Sequence, residues 1–400
     1  MISSCAVSGR IDLVGRSPSE ENRDLVRLAK ADGVDVISLS GAPSGRLPEH
    51  VVDAIDAAAR IETHSIHSAG LPELRRAIAQ RVQATTGVSV DPESQVVVTN
   101  GAMHALLVAT LALSDEGDEV IIPTPCFFFG GIFELGGLRT VYVPSAARDG
   151  WAPDFSRLRA ALGIRAKLIC LTTPNNPTGY LLSSRDLDEL ASLIEGRDVW
   201  LLSDESYEVM TFDGRRHLSP MSHPDLRNRT ITIQTFSKTF RLRDQRVGYA
   251  IAPNARVGRA IRSAVEWSVL SVSHISQRAA IAALEGPQDW VDQMVAEVRG
   301  NRDVMQSQLG QSNEISWVHP VAGPYLYIDV SVLGPAKEVS RQLLTKYGVA
   351  TVSGPAFKEG THVRVPFGGP SSRIREAGNR LAEAFSEMAS RPIMPLVSAK

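Results

Sequence analysis

The sequence predicts an α/β protein, with a large domain built on a mostly parallel sheet between helices and a smaller α+β domain after it. Three observations lead to this fold class. Seven short runs are continuously apolar, as is typical of strands covered on both faces. Helical patterns lie between several of these runs, which indicates a parallel sheet. Toward the C-terminus, a second group of strand candidates alternates with helical patterns, which indicates the smaller domain. The seven runs are QVVVT, DEVIIP, TVYVP, KLICLTT, DVWLLSD, TITIQTF and RVGYAIA.

The last of the seven runs is expected to be antiparallel to its neighbours. The link between TITIQTF and RVGYAIA extends from Phe236 to Gln245, which is only ten residues. A parallel crossover needs about a dozen residues or more. The large sheet is therefore predicted to be mixed, with one reversed strand.

The C-terminal third is predicted to form the smaller domain. A long helical stretch begins at about Asn254. Beyond it, the strand candidates ISWVHP, PYLYIDVSV, VATVSG and HVRVPFG alternate with the helical patterns AKEVSRQLLTKYG and SSRIREAGNRLAEAFSEMAS. The boundaries that we predict are an N-terminal segment packing with the small domain, a large domain, a small domain and a tail, at residues 1–45, 46–294, 295–392 and 393–400.

Composition excludes several classes of protein. The 400 residues carry a net charge of −2, which gives no general attraction to nucleic acid or to an anionic membrane. No run approaches the roughly 20 apolar residues of a membrane span. Three scattered cysteines, Cys5, Cys126 and Cys170, do not make a disulfide framework. The N-terminus lacks the apolar core of a signal peptide, so we expect a cytoplasmic protein.

Chemistry-bearing residues follow the strands, at the sheet edge where open parallel sheets bind ligands. NGAMHALL follows the first run, and free N–H groups at the start of its helix would attract an anion. An ordinary Asn-capped helix is the alternative. TPCFFFGG follows the second run. One phenylalanine could cover a flat ligand there, or all three could fill the core.

Three further strand ends carry polar groups. PNNPTG is a rigid turn that could offer the Asn176 amide to a ligand. DESYE places Asp204 just past an apolar strand, where it either caps a turn or meets a cation, with Tyr207 three residues later. Lys238 and Arg246 arrive with the last two runs. An anion site, an aromatic cover, an amide, a carboxylate, a phenol and a lysine together suit pyridoxal 5′-phosphate.

Other cofactors lack support in the sequence. His64 and His67 have no third ligand close by, so no metal site is expected. Walker-type and dinucleotide-binding fingerprints are absent from the sequence.

These motifs, taken in order, resemble the class I/II aminotransferases, which are fold-type I pyridoxal-phosphate enzymes. The resemblance extends over nearly the whole chain, through VISLSGAP, GLPELRRAIA, TNGAMHAL, PNNPTG, DESY, SKTFRLRDQRVGYA and HVRVPFG. It implies a seven-stranded mixed sheet, a small domain built from both chain ends, and a homodimer with active sites at the interface. It also implies transfer of an amino group between an L-α-amino acid and a 2-oxo acid.

The resemblance assigns roles residue by residue. Lys238 would form the internal aldimine and move the proton, and Asp204 would pair with the ring nitrogen. Asn176 and Tyr207 would hydrogen-bond the ring oxygen, with Asn176 also near the substrate. Arg364 would bind the substrate α-carboxylate beside the Gly41 backbone. The remaining cofactor contacts would come from Gly101, Ala102, Met103, Thr235, Ser237 and Arg246 at the phosphate, and from Phe127 on the ring.

Two departures from the family pattern leave the reaction open. Ser65 stands where a tyrosine usually reaches the phosphate of the neighbouring subunit. Gly130 stands where a second loop aromatic is common. Both changes remove bulk and are expected to make the site roomier. The alternatives are a lyase, cyclase or oxidase of a specialised amino acid on the same scaffold, or a cofactor-binding regulatory domain, although no basic helix-turn-helix region precedes residue 45.

Overall fold

A computed structural model describes residues 7–39, 41, 43, 45–61, 66–310 and 314–390. Ser65, His64, Cys5 and the tail at 393–400 lie outside the described residues. Within the described part of the chain, no helix combines the length and apolar character that crossing a membrane requires.

The elements follow in chain order. The α-helices α1–α15 are Gly9–Val14, Pro18–Ala31, Glu49–Ala59, Pro72–Thr86, Ala102–Leu113, Gly130–Leu135, Phe155–Ala161, Ser184–Ile194, Pro224–Arg227, Phe236–Thr239, Ala255–Val269, His274–Glu285, Asp289–Leu309, Ala336–Thr345 and Ser371–Ser390. The strands β1–β13 are Ile37–Ser38, Val96–Thr99, Glu119–Thr124, Arg139–Pro144, Ala166–Thr172, Trp200–Asp204, Thr230–Thr235, Gly248–Ile251, Ser316–Trp317, Tyr325–Asp329, Val349–Ala350, Val352–Ser353 and His362–Pro366.

The large sheet contains all seven predicted strands, in the order β2-β8-β7-β6-β5-β3-β4. Strand β8 is antiparallel to both of its neighbours, with Ala250 opposite Val97 on β2 and Ile233 on β7. The other pairs in the sheet are parallel. The predicted fold class and the single reversed strand are confirmed.

Helices cover both faces of this sheet, which explains why the strands are continuously apolar. Val120 and Ile122 of β3 pack with α5, α6 and α11, whereas Ile121 between them packs with α7 and α8. On β6, Leu202 packs in the first of these layers and Leu201 packs in the second. Each such buried side chain contributes about 1.5–3 kcal/mol of transfer free energy, so both layers hold the sheet in place.

Two smaller sheets form the C-terminal part of the fold. One has the antiparallel order β12-β13-β10-β9, and the other pairs β1 with β11 in parallel. The N-terminal strand therefore joins a C-terminal one, as expected for a small unit built from both chain ends. Helix α1, in contrast, packs on α6, and α13 continues through residues 294 and 295. The domain boundaries stay a prediction.

The VATVSG segment differs from the single strand that was expected. It divides into β11 and β12, which belong to different sheets, with Thr351 buried between them. The chain therefore switches sheets within one residue.

Candidate active site

A cavity of about 160 Å³ lies at the carboxyl ends of the central strands. Ten of the eleven residues predicted to contact the cofactor line it. Gly101, the eleventh, is next to two of these residues. A β-carbon on it would lie 2.8 Å from Nη2 of Arg246 and 3.8 Å from Oγ1 of Thr235. The lining residues are Ala102, Met103, Phe127, Phe129, Thr172, Asn176, Asp204, Ser206, Tyr207, Thr235, Ser237, Lys238, Arg243 and Arg246.

One end of the cavity is built to hold an anion. Helix α5 begins after Gly101, which has φ +81° and provides no side-chain cap. The N-cap residue of α5 is Gly101 and not Asn100, so the alternative of an ordinary Asn-capped helix is wrong. The amides of Ala102 and Met103 lie in the first turn of this twelve-residue helix, where the helix dipole is positive.

Hydroxyl and guanidinium groups complete the anion end. The Oγ1 of Thr235 accepts a hydrogen bond from the Ser237 amide at 3.2 Å and donates to the Ser237 Oγ at 2.9 Å. Arg246 Nη1 donates to the Ser237 Oγ at 3.4 Å. A β-carbon at Gly101 would lie 2.8 Å from Nη2 of Arg246, so glycine lets the backbone approach this guanidinium.

Lys238 lies on the short helix α10 at the end of β7, and its side chain faces the cavity. The Nζ atom is 5.3 Å from the centre of the Tyr207 ring. Loss of hydration, followed by repulsion from Arg243 and Arg364, lowers the pKa of Lys238 to about 7 despite the nearby Asp204. At neutral pH a substantial fraction of this amine is therefore uncharged and nucleophilic.

Asp204 ends β6 and is buried. It accepts hydrogen bonds from the amide of Ser206 at 3.0 Å and from the Ser206 hydroxyl. Burial raises the pKa of Asp204, while Ser206 and Lys238 oppose the rise. A further cation beside the carboxylate would relieve this burial cost.

Tyr207 and Tyr325 join the large sheet to the small one. Their hydroxyl oxygens are 2.6 Å apart, and the rings meet edge to face with centroids 5.7 Å apart. Burial and the adjacent Tyr325 raise the pKa of Tyr207 well above its ordinary value. Tyr207 is therefore a neutral phenol, able to donate a hydrogen bond.

Arg364 projects from β13 and is buried among aromatic rings. Its guanidinium carbon lies 4.5 Å from the Tyr325 ring centre and 4.9 Å from that of Phe357. Nη1 donates to Oδ1 of Asn176, and the buried Nε has no partner. None of the salt bridges among the described residues involves Arg364. A buried cation with an unsatisfied donor and no carboxylate partner is arranged to receive an anion.

Gly41 lies at the same end of the site as Arg364. A β-carbon at this position would lie 2.0 Å from the Tyr325 hydroxyl. The close approach requires glycine and brings the Gly41 backbone beside the ring that covers Arg364.

The three phenylalanines of TPCFFFGG have separate environments. Phe127 lines the cavity, and its ring stacks on Phe128 with centroids 4.7 Å apart. Phe128 in turn packs on Phe357, next to Arg364. Phe129 belongs to the hydrophobic core and also lines the cavity. The role of Phe127 as a cover for a flat ligand stays a prediction.

The space beside Gly130 is filled, which corrects the expectation of a roomier site there. A β-carbon at Gly130 would lie 2.1 Å from the Tyr142 hydroxyl. Gly130 is buried at the start of α6 and does not line the cavity. The glycine accommodates Tyr142 rather than a substrate.

Sequence reasoning missed Arg243 and Tyr325. Arg243 could have been found from its place between Lys238 and Arg246. Tyr325 had no comparable signal, because it comes from a strand of the other sheet. The cavity also includes Phe129, Thr172 and Ser206, which were not predicted.

The sequence model of the family described as aminotransferase class I and II matches residues 34–381. The chain belongs to this family. It is 30% identical to an aspartate aminotransferase of Musicola paradisiaca, with 96% of this chain and 97% of the relative covered. It is 31% identical to an arginine–pyruvate transaminase of Pseudomonas aeruginosa, with coverage of 92% and 93%.

Solved aminotransferases share the whole fold of this family member. The aspartate aminotransferase of Thermus thermophilus with maleate superposes with a TM-score of 0.89 at 30% identity, covering 95% of this chain and all of that one. The chain is thus an aminotransferase, and the alternatives of a lyase, cyclase, oxidase or regulatory domain find no support among these relatives. Class I/II aminotransferases use pyridoxal phosphate.

Proposed function

We propose that this chain binds pyridoxal 5′-phosphate in the cavity around Lys238 and transfers an amino group between an L-α-amino acid and a 2-oxo acid. The observation that carries the proposal is the arrangement of one cavity. It holds a reactive lysine, a buried carboxylate and an anion cradle. Beside it, Arg364 is buried and forms no salt bridge with any residue that the structure describes.

The anion end fits the phosphate of the cofactor. The first amides of α5, the hydroxyls of Thr235 and Ser237, and the guanidinium of Arg246 converge there. The Gly101 turn keeps this end open, because a β-carbon would displace Arg246. Phosphate suits such a site because backbone donors and an arginine fork satisfy several of its oxygens together.

The middle of the cavity fits the ring. Phe127 offers an aromatic face to the cavity, and Asp204 offers a buried carboxylate. When bound, the protonated ring supplies an electron sink that stabilises the negative charge left at the substrate Cα after proton loss. Asp204 would hold the ring nitrogen in its charged form, and that cation would offset the burial of Asp204.

Asn176 and Tyr207 are the donors available to the ring oxygen. The Asn176 amide oxygen is engaged by Arg364, which leaves its NH₂ to donate. Tyr207 donates as a neutral phenol that Tyr325 holds in position. Lys238 would remove a proton at the substrate Cα, because its lowered pKa of about 7 suits both accepting and releasing a proton near neutrality.

Arg364 would bind the α-carboxylate that all α-amino acids share. The rings of Tyr325 and Phe357 exclude water from the guanidinium, which strengthens its interaction with an anion. Which substrate side chain the site recognises is a separate question. Relatives of similar identity are named for aspartate, for prephenate and for arginine, so similarity alone does not select among them.

We also propose that two copies of the chain form a homodimer around the active site. An apolar strip on the paired helices α5 and α11 is exposed, with Trp267 of α11 90% accessible and Leu270, directly after α11, 73% accessible. A 2.9 Å contact between His104 and Ser268 joins these helices. Met103 lines the cavity and is also exposed, so a copy covering the strip would close the active site.

The experiment that tests the proposed activity uses the cofactor-loaded enzyme. Each L-amino acid is added without a 2-oxo acid, the cofactor spectrum is followed, and products are identified by mass. At least one amino acid should convert the cofactor to its aminated form with release of the matching 2-oxo acid. Release of ammonia, carbon dioxide or peroxide without cofactor amination would contradict transamination.

A further inference from the structure

A short stretch before β10, residues 320–323, contacts the loop that carries Asn176. We call this stretch the linker segment. The turn PNNPTG packs closely on it, because a β-carbon on Gly179 would lie 2.5 Å from the carbonyl oxygen of Ala322. Gly179 has φ +72°, so glycine suits both the backbone conformation and the close approach. The linker segment therefore lies against the loop that positions the Asn176 amide.

The chain that follows Tyr207 pairs with the same linker segment. Two backbone hydrogen bonds of 2.8 Å join them, from the amide of Gly323 to the carbonyl of Met210 and from the amide of Phe212 to the carbonyl of Val321. The pairing begins three residues after Tyr207 and ends two residues before the tyrosine that meets its hydroxyl. The position of the linker segment therefore sets how these two tyrosines face each other.

Arg302 of α13 fastens both sides of this pairing. The buried guanidinium meets the two carboxylate oxygens of Asp213 at 2.6 and 2.8 Å. Nη1 also donates to the carbonyl of Pro320 at 3.1 Å, and Nε donates to Asp303 at 2.8 Å. The guanidinium carbon lies 5.0 Å from the centre of the Phe212 ring. One planar cation thus binds the chain after β6 and the linker segment together, as its fork of donors allows.

We propose that Arg302 is a positioning residue of the active site, which holds the linker segment so that Tyr325 meets the Tyr207 hydroxyl. Arg302 does not line the cavity, so it acts through the backbone that it anchors. A displacement of about 1 Å in an active site can cost up to about 100-fold in rate. This inference rests on the proposed function, in which Tyr207 donates to the ring oxygen of the cofactor.

The test uses three variants of the anchor. Arg302→Gln removes the fork of donors, whereas Arg302→Lys keeps the charge but cannot reach both carboxylate oxygens and the carbonyl together. Asp213→Asn removes the charge of the partner. Asp213 has φ +56°, a conformation that asparagine tolerates, so this variant keeps the turn and decides the test if Arg302→Gln does not fold.

Arg75→Gln is the matched control for the loss of a buried arginine. Arg75 donates to the Glu93 carboxylate at 2.9 Å and to the Pro92 carbonyl at 2.7 Å. It therefore has the same kinds of partner as Arg302, but neither partner lines the cavity. Its replacement should lower Tm and leave kcat unchanged.

The cofactor-loaded proteins are compared by kcat, KM, the position of the cofactor absorption band and Tm. We expect Arg302→Gln and Asp213→Asn to lower kcat about 5- to 50-fold, with a change in KM of less than about threefold. The absorption band should shift in the same direction as in Tyr325→Phe, and Arg302→Lys should recover part of both effects. Added to Tyr325→Phe, Arg302→Gln should cost less than it does in the wild type, because both changes act on the same tyrosine pair.

The inference is overturned if Arg302→Gln and Asp213→Asn lower only Tm, as Arg75→Gln is expected to do, with kcat and the absorption band unchanged. It is also overturned if the losses in Arg302→Gln and Tyr325→Phe multiply independently. These results differ from a failure of the proposed function, in which the wild-type protein itself would neither bind the cofactor nor transfer an amino group.

Discussion

The Nη1 atom of Arg364 lies 2.9 Å from Oδ1 of Asn176, so a strand of the small sheet and the loop after β5 meet in one hydrogen bond. Asn176 also lines the cavity around Lys238. This contact connects the proposed carboxylate site with the proposed cofactor site. Because the Asn176 oxygen accepts from Arg364, the NH₂ group is the part of the amide that is left to donate.

Replacing Arg364 should separate substrate binding from cofactor binding. Arg364→Ala should retain pyridoxal phosphate but lose about 10²–10³-fold in kcat/KM, because removing one partner of a buried charged pair costs about 2–5 kcal/mol. The loss should be similar for every α-amino acid, since the α-carboxylate is their common part. The kcat/KM of Arg364→Lys should lie between that of the wild type and that of Arg364→Ala. Release of cofactor from Arg364→Ala would assign the residue to the cofactor instead.

Replacing Asp204 should affect the chemistry more than the fold. Asp204→Asn keeps the shape and an acceptor for Ser206, yet it removes the charge that would hold the ring nitrogen protonated. We expect kcat to fall by about 10²–10³-fold or more, as for other electrostatic groups in active sites. Ser206→Ala, which keeps the carboxylate, is the control and should lose about tenfold or less. An equal fall in kcat in the two variants would indicate that Asp204 only caps the turn at Ser206.

Tyr325→Phe should reveal a positioning residue. The substitution removes the hydroxyl that lies 2.6 Å from the Tyr207 hydroxyl but keeps the ring on Arg364. One lost hydrogen bond of about 1 kcal/mol predicts a roughly fivefold fall in kcat with little change in KM. The cofactor absorption band should shift as well, because Tyr207 would lose its fixed orientation. A KM effect alone would show that Tyr325 serves only the carboxylate site.

The pH dependence of cofactor capture should follow Lys238. Burial and neighbouring cations lower its pKa from 10.5 to about 7, so the reactive neutral amine accumulates as pH rises through about 7. The rate at which the apo-protein captures pyridoxal phosphate should therefore rise to half its maximum near that pH. Nα-acetyl-lysine, mixed with the same cofactor, controls for the titration of the cofactor itself and should keep gaining rate toward pH 10.5. Parallel profiles for protein and model amine would contradict a lowered pKa.

The strands and the strand-end residues could be predicted from the sequence because both follow local rules. Continuous apolar runs specify strands buried on both faces, and parallel strands bring their carboxyl ends to one edge. Asn176, in the loop after β5, and Asp204, at the end of β6, are therefore expected near one another. The short link before β8 likewise determined its reversed direction.

The features that escaped prediction depend on tertiary contacts. Tyr325 reaches Tyr207 from a different sheet, 118 positions along the chain, and no periodicity encodes that approach. Gly130 predicts an open space because the sequence shows that a side chain is missing there. The sequence does not show that the hydroxyl of Tyr142 occupies that space. The division of VATVSG between two sheets depends on which partners β11 and β12 find.

The central claim, that Lys238 is the residue that carries the cofactor, is tested most directly by borohydride reduction of the pyridoxal-phosphate-loaded protein, followed by proteolysis and peptide mass mapping. The account predicts one reduced pyridoxyl group per chain, on the peptide that contains Lys238, and none in Lys238→Ala treated in the same way. A pyridoxyl group on another lysine, or equal labelling of wild type and variant, would contradict it.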